Sequence, residues 1–228
     1  MKKKYVLITG SDGLVGSESA IFFSNIGYSI IGIDNNSRAK FFGQDASVLK
    51  RRAYLKAKIK NYLHYNIDIT SNKIKDIFSN YGKEIDLIIH CAAQPSHDWA
   101  ATNPKKDFQV NAYGTLNLLE SMRKFCPEAT FIFTSTNKVY GDNPNQIKFS
   151  ELETRYVPKQ QNLYKHGIDE NFSLDSTVHS LFGVSKLSAD MLVQEYGKYF
   201  NLKTVAFRGG CLTAVSYTHL TLPTKRIV

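Results

Sequence analysis

The chain has 228 residues, 43% of them hydrophobic and 21% charged, and carries a formal net charge of +9. That length suits one large domain with a real core, and the composition excludes wholesale disorder. No window approaches twenty apolar residues, which leaves no candidate for a membrane-spanning helix. Met1-Lys2-Lys3-Lys4 runs straight into a strand pattern without the apolar stretch and cleavage site of a secretory signal, so a cytoplasmic location is expected.

Tyr5–Thr9 is an apolar run without polar alternation, as a strand buried on both faces requires. A glycine-rich turn follows, then a helix over about 14–26. Ser29–Ile33 reads as a second strand, 47–60 as a basic helix, 64–69 as a third strand and 72–81 as a helix. Residues 86–90 form the fourth strand pattern, and Pro104 suits the first turn of a long helix reaching about residue 125. Residues 130–134 read as a fifth strand, 181–200 as a helix and 203–207 as a sixth strand. Between them, 141–177 is polar and irregular, too long for a simple connector. Six strands alternating with helices predict an α/β fold, a Rossmann-type doubly wound parallel sheet. Residues 214–228 break this pattern and resemble a translated adapter read-through, so they are left out of the fold.

Cys91, Cys126 and Cys211 are odd in number and far apart, which suits reduced thiols. Neither they nor the six histidines have metal-ligand spacing, so no metal is expected. The positive charge favours anionic partners such as nucleotides or phosphorylated substrates, and equally suits a plain basic surface. Nucleic-acid binding rests on that charge alone and is not expected.

Gly10-Ser11-Asp12-Gly13-Leu14-Val15-Gly16 lies between the first strand and the first helix. Gly10 permits the tight turn, Gly13 lets backbone approach a pyrophosphate, and Gly16 allows close helix–strand packing. The helix start offers free N–H groups and a positive end, so Asp12, Leu14 and Val15 join the glycines as candidate cofactor residues. Asp34 ends the second strand, where a carboxylate accepts hydrogen bonds from both adenosine ribose hydroxyls and repels a 2′-phosphate. That favours NAD over NADP, although Arg38 lies nearby; Asn35 follows Asp34. Asp68 and Ile69, at the end of the third strand, are placed for the adenine edge, or Asp68 caps a strand-end turn. Cys91, Ala92 and Ala93 let the chain pass close to a cofactor.

Taken with Asn111, Thr134-Ser135-Thr136, Val139-Tyr140-Gly141 and Lys186, these residues resemble the extended short-chain dehydrogenase/reductase family over about 4–213. Its members of this kind are NAD-dependent nucleotide-sugar epimerases and dehydratases. The segments Thr136–Asp142, Glu151–Tyr156, Gly167–Glu170 and Phe207–Cys211, and the loop Gln94-Pro95-Ser96-His97-Asp98-Trp99, are most similar to the CDP-paratose 2-epimerase group. The resemblance implies an NAD-binding domain over 1–213, with the smaller C-terminal substrate domain largely absent. It also implies NAD as cofactor, contacted by Asn111 and Lys186 as well, and a nucleotide sugar as substrate. Family members of this kind often form a homodimer through the helices at 104–125 and 181–200.

The family chemistry moves a hydride from a sugar carbon to NAD and back, with a tyrosine of Tyr-x-x-x-Lys as base and a serine or threonine at the reacting oxygen. Thr136 and Lys186 match. The tyrosine position holds Phe182, which cannot exchange a proton. His179, one turn earlier, is the candidate replacement, with Tyr164 and His166 in the long loop as others. The pairs Tyr54/Lys58 and Tyr199/Lys203 share the spacing but not the setting. The family's sugar dehydratases carry an acidic pair after the threonine, whereas this chain has Asn137-Lys138, which disfavours elimination. Gln94, Thr136, Asn137, Lys138 and Arg208 are the expected substrate contacts, Arg208 having a structural ion pair as its alternative. Trp99 suits a substrate lid or packing. A second reading, a non-catalytic NAD-binding sensor or scaffold, rests on Phe182.

Overall fold

Strand β1 (Tyr5–Thr9) is buried along its whole length because both its faces are covered. In a computed structural model, which describes residues 4–210 and 212, it lies at the middle of a six-stranded sheet. Its neighbours are β2 (Ser29–Ile33) and β4 (Ile85–His90), both parallel to it. Beyond them come β3 (Tyr62–Tyr65) on one side, and β5 (Thr130–Thr136) and β8 (Lys203–Gly209) on the other. The order β3-β2-β1-β4-β5-β8 reverses direction between β1 and β4, which opens a crevice at the carboxyl ends of the strands. Cys211 and 213–228, including the expected read-through, lie outside the described residues.

Side-chain alternation along β1 divides the core. Leu7 points to a layer with Ile74 and Phe78 of α4 (Lys73–Tyr81), Leu118 and Met122 of α7 (Gly114–Phe125), and Val193 of α9 (Ser180–Phe200). Val6 and Ile8 point to the opposite layer, with Ala20 of α1 (Leu14–Asn25) and Leu55 of α3 (Leu49–Lys58). On β8, the outward Val205 and Phe207 are exposed.

The expected third strand, 64–69, is corrected to Tyr62–Tyr65. β2 ends at Ile33, opposite Tyr65, so later residues have no neighbour to pair with, and Asp68 closes a turn with Thr70 and Ser71 instead. The expected helix over 104–125 is built from α6 (Pro104–Phe108), a π-helical turn (Gln109–Tyr113) and α7. Two short helices were not anticipated, α2 (Ser37–Phe42) and α5 (His97–Thr102). Within 141–177 lie an antiparallel pair, β6 (Phe149–Glu151) and β7 (Tyr156–Pro158), and one helical turn, α8 (Gln161–Tyr164). No helix among the described residues is long and apolar enough to cross a membrane.

Candidate functional site

A cavity of about 630 Å³ runs along the carboxyl edge of the sheet. The strand register builds it: Thr9 lies between Ile33 and His90, so the segments that follow each, at Gly10, Asp34 and Cys91, emerge side by side. Gly10 has φ +66°, and a Cβ there would lie 2.7 Å from the amide nitrogen of Ala92. A Cβ at Gly16 would collide with the Gly10 carbonyl, so turn and helix touch through backbone alone. Gly13 is different, since a Cβ there meets only that carbonyl, at 3.2 Å, and the residue opens onto the cavity. No side chain caps α1 and no acid occupies its first turn, so the start of the helix keeps its positive end. Gly10, Gly13, Leu14, Val15 and Gly16 all line the cavity.

Asp34, Asn35, Arg38, Asp68 and Ile69 line one end. One Asp34 oxygen accepts the N–H of Asn36 at 2.8 Å and the other that of Asp12 at 3.3 Å. Burial raises its pKa, as does the charge of Asp12; the two N–H groups and Arg52 oppose the rise. Asp68 is held below the usual carboxylate range, because bonds from Thr70 and the charge of Lys106 outweigh its burial. Phe41 and Phe42 of the unanticipated α2 also line this end. Trp99 packs its ring against Phe41, centroids 4.5 Å apart, and takes the packing alternative.

The other end gathers Cys91, Ala92, Ala93, Thr136, Asn137, Lys138, Phe182 and Lys186. Phe182 and Lys186 stand one turn apart on α9. The Lys186 ammonium donates to the Thr134 carbonyl at 2.9 Å and lies 4.2 Å from the centroid of Phe133. Burial brings its pKa down to about 8, against the opposing pull of Cys91, Asp190 and Asp107. The Thr136 hydroxyl accepts the N–H of Lys138 at 3.3 Å. One further group lines this end and escaped the sequence reading: His97, whose ring lies against Phe182 with centroids 4.7 Å apart.

Five expected site residues stand behind the wall. The Asp12 carboxylate is fully buried, held by Arg52 at 2.7 Å and His64 at 3.2 Å; these bonds outweigh its burial and lower its pKa. Gln94 bonds Asp107 at 2.7 Å, and Asn111 bonds the Gln94 backbone and Ser185. Arg208 forks onto Asp190 at 2.9 and 3.2 Å and reaches the Tyr140 hydroxyl at 3.1 Å, the ion-pair alternative. His179 precedes α9 and does not line the cavity, nor do Tyr164, His166 or the Tyr54/Lys58 pair. Among the described residues no three His, Cys, Asp or Glu side chains gather as a metal site.

The profile of the NAD-dependent epimerase/dehydratase family matches residues 6–220. The chain is 36% identical over 204 residues to a CDP-paratose 2-epimerase of Salmonella typhi, covering 89% of this chain and 56% of that protein. It is 31% identical over 182 residues to a UDP-glucuronate 4-epimerase of Thermodesulfobacterium geofontis, covering 79% of this chain and 53% of that one. The solved UDP-Glc/GlcNAc 4-epimerase of Campylobacter jejuni superposes with a TM-score of 0.69 at 21% identity, over 92% of this chain and 55% of that one. A Thermus thermophilus UDP-glucose 4-epimerase in complex with NAD gives 0.61 at 24%, over 90% and 54%. At such identities the structural likeness is one of fold. The chain spans about half the length of the relatives it matches.

Proposed function

The chain belongs to the NAD-dependent epimerase/dehydratase family, and from that premise we propose that it binds NAD in the sheet-edge cavity and serves a nucleotide-sugar epimerase of the CDP-paratose 2-epimerase kind. The observation that carries this reading is the pairing of an open glycine turn and uncapped helix start with the Asp34 carboxylate on the same cavity wall. The residues fit the cofactor. Gly13 and the first turn of α1 would take the pyrophosphate, Asp34 the adenosine ribose, and Lys186 the second ribose. When bound, the nicotinamide supplies a reversible hydride acceptor.

The chain's own groups do the remaining work. Thr136 offers a hydroxyl to the reacting sugar oxygen. Lys186 brings positive charge to a buried place where negative charge develops on that oxygen. Lys138 and Asn137 face the cavity as polar contacts for the sugar nucleotide. Phe182 is buried against the cavity and carries no exchangeable proton, which supports a second reading, a dinucleotide-binding module without turnover. A homodimer fits the apolar groove lined by Phe108, Ala112, Tyr113 and Leu116 of the long helix and Met191 and Leu192 of α9.

The test is calorimetric titration of the chain with NAD and with NADP, repeated on Asp34→Ala. NAD binding that weakens about 10- to 100-fold in the variant, as loss of charge-assisted hydrogen bonds requires, supports the reading. A folded chain that binds neither dinucleotide, or binds NADP better, overturns it.

A further inference from the structure

Phe182 leaves the candidate site without the proton carrier that its chemistry needs, and the structure places another beside it. His97 sits at the start of α5, in the loop that leaves β4, and its imidazole lies against the Phe182 ring with centroids 4.7 Å apart. Both rings line the cavity end that holds Thr136 and Lys186. The imidazole is held in place, since Nδ1 is 3.0 Å from the Ser180 hydroxyl. Ser180 is itself fixed, with φ +59° and with its oxygen accepting the N–H of Gly183 at 3.1 Å. Nε2 makes no hydrogen bond to a described residue.

We propose that His97 is the proton-transfer residue of this site, taking over from α5 the role that a phenol at position 182 would play from α9. The inference rests on the nucleotide-sugar epimerase reading above. With Nδ1–H donated to Ser180, the lone pair of Nε2 is free for a sugar hydroxyl held by Thr136. As the sugar is oxidised, Nε2 takes the hydroxyl proton, the O–H pair completes the carbonyl, and the carbon's hydrogen leaves with its electrons to the oxidised nicotinamide dinucleotide. On return of that hydride to the other face, Nε2–H gives the proton back, so the histidine ends each cycle as it began.

The surroundings keep the imidazole neutral and ready to accept. Burial lowers its pKa and Lys138, after β5, lowers it further; Asp98 on its own helix and Asp107 on α6 pull the other way. From α9 the cavity receives Lys186, while His179 stays outside it. An imidazole, with one nitrogen held by Ser180 and the other open to the cavity, is a competent acid and base for this exchange.

Two measurements test the proposal. The first follows the His97 imidazole by nitrogen NMR in the NAD-saturated chain as CDP-paratose is added. A changed His97 titration with unchanged His166 and His179 signals is expected, and an unmoved His97 overturns the proposal. The second compares turnover of His97→Ala with that of the parent. A loss of about 10²- to 10⁴-fold is expected, with NAD affinity within about twofold and partial recovery when Phe182→Tyr is added; undiminished turnover overturns it. Failure to bind NAD sinks the dinucleotide reading instead, and the NMR titration with CDP-paratose alone then decides His97.

Discussion

Asn111 grips the backbone of Gln94 from both sides: its Oδ1 accepts the Gln94 N–H at 2.9 Å and its Nδ2 donates to the Gln94 carbonyl at 3.1 Å. The same nitrogen reaches Asp107 at 3.1 Å and Ser185 at 2.9 Å, tying the loop after β4 to α6 and α9. Every one of these groups is buried. Asn111→Leu keeps the volume and strands the Gln94 N–H and carbonyl, while Asp107 loses one donor and keeps the Gln94 side-chain amide. Urea denaturation is expected to show a loss of about 2–4 kcal/mol, with the loop carrying His97 loosened as well. A variant as stable as the parent would mean that the clamp is dispensable.

Lys186 sets binding against stability. Its pKa is about 8 when folded, against 10.5 for an unperturbed lysine. Between these, the unfolded chain binds more protons, so the ligand-free protein should gain stability as pH rises through the window, by about 3 kcal/mol at most. Lys186→Met should abolish that slope and leave the ligand-free chain at least as stable at pH 7, because a buried charge is gone. NAD affinity should fall at least about tenfold with the lost charged contact. Denaturation at pH 7, 8 and 10, beside calorimetry with NAD, reads both effects.

His90 extends the pH dependence to the acid side. Its Nε2 lies 2.9 Å from the Thr115 hydroxyl and its Nδ1 2.7 Å from that of Thr9. Thr115 donates to the Asn111 carbonyl at 2.6 Å, so it accepts the proton of Nε2, and Thr9 donates to Nδ1. This neutral ring has no room for a second proton, and burial, with the charge of Lys186, pushes its pKa down to about 3 from 6.5. Below pH 6.5 the unfolded chain takes up a proton that the folded one refuses, so stability is lost as pH falls. The contribution is about 2 kcal/mol between pH 7 and pH 5. His90→Gln should remove that part of the acid sensitivity, and equal slopes in parent and variant would refute the assignment.

The Arg208–Asp190 pair is the last target. Asp190 is fully buried, accepts a bond from Ser135 as well, and is held below the usual carboxylate range because Arg208 and Ser135 outweigh its burial. Arg208→Ala leaves that charge uncompensated and should cost about 3–5 kcal/mol. Thermal unfolding measures it. If the variant is stable and only sugar-nucleotide affinity falls, Arg208 is a substrate contact after all.

Elements buried on both faces were the most legible in the sequence. The runs at β1 and β2 carry no competing polar pattern, and their bounds are those expected. The glycine turn was legible for a similar reason, since crowding at Gly10 and Gly16 admits no other side chain without displacement. α2 and α5 were not, because six residues hold too few turns for a helical period. Spacing names residues without saying which way they face. Asp12, Gln94, Asn111 and Arg208 belong to the right segments, yet each turns to a buried polar partner. His97 was hidden for the converse reason. Its one local signal is its place just after a central strand, and its partners Ser180 and Phe182 come from a distant helix.

The π-helical turn at Gln109–Tyr113 has a consequence for how this chain tolerates change. It holds one residue more than regular winding needs, and each residue of an α-helix advances the surface by about 100°. Upstream, Asp107 on α6 addresses the loop after β4; downstream, Leu118 and Met122 address the sheet. Removing a single residue from this turn would rotate one group of side chains about a quarter-turn against the other. Length itself, more than the identity of any one side chain, keeps the two faces in phase at this point in the chain.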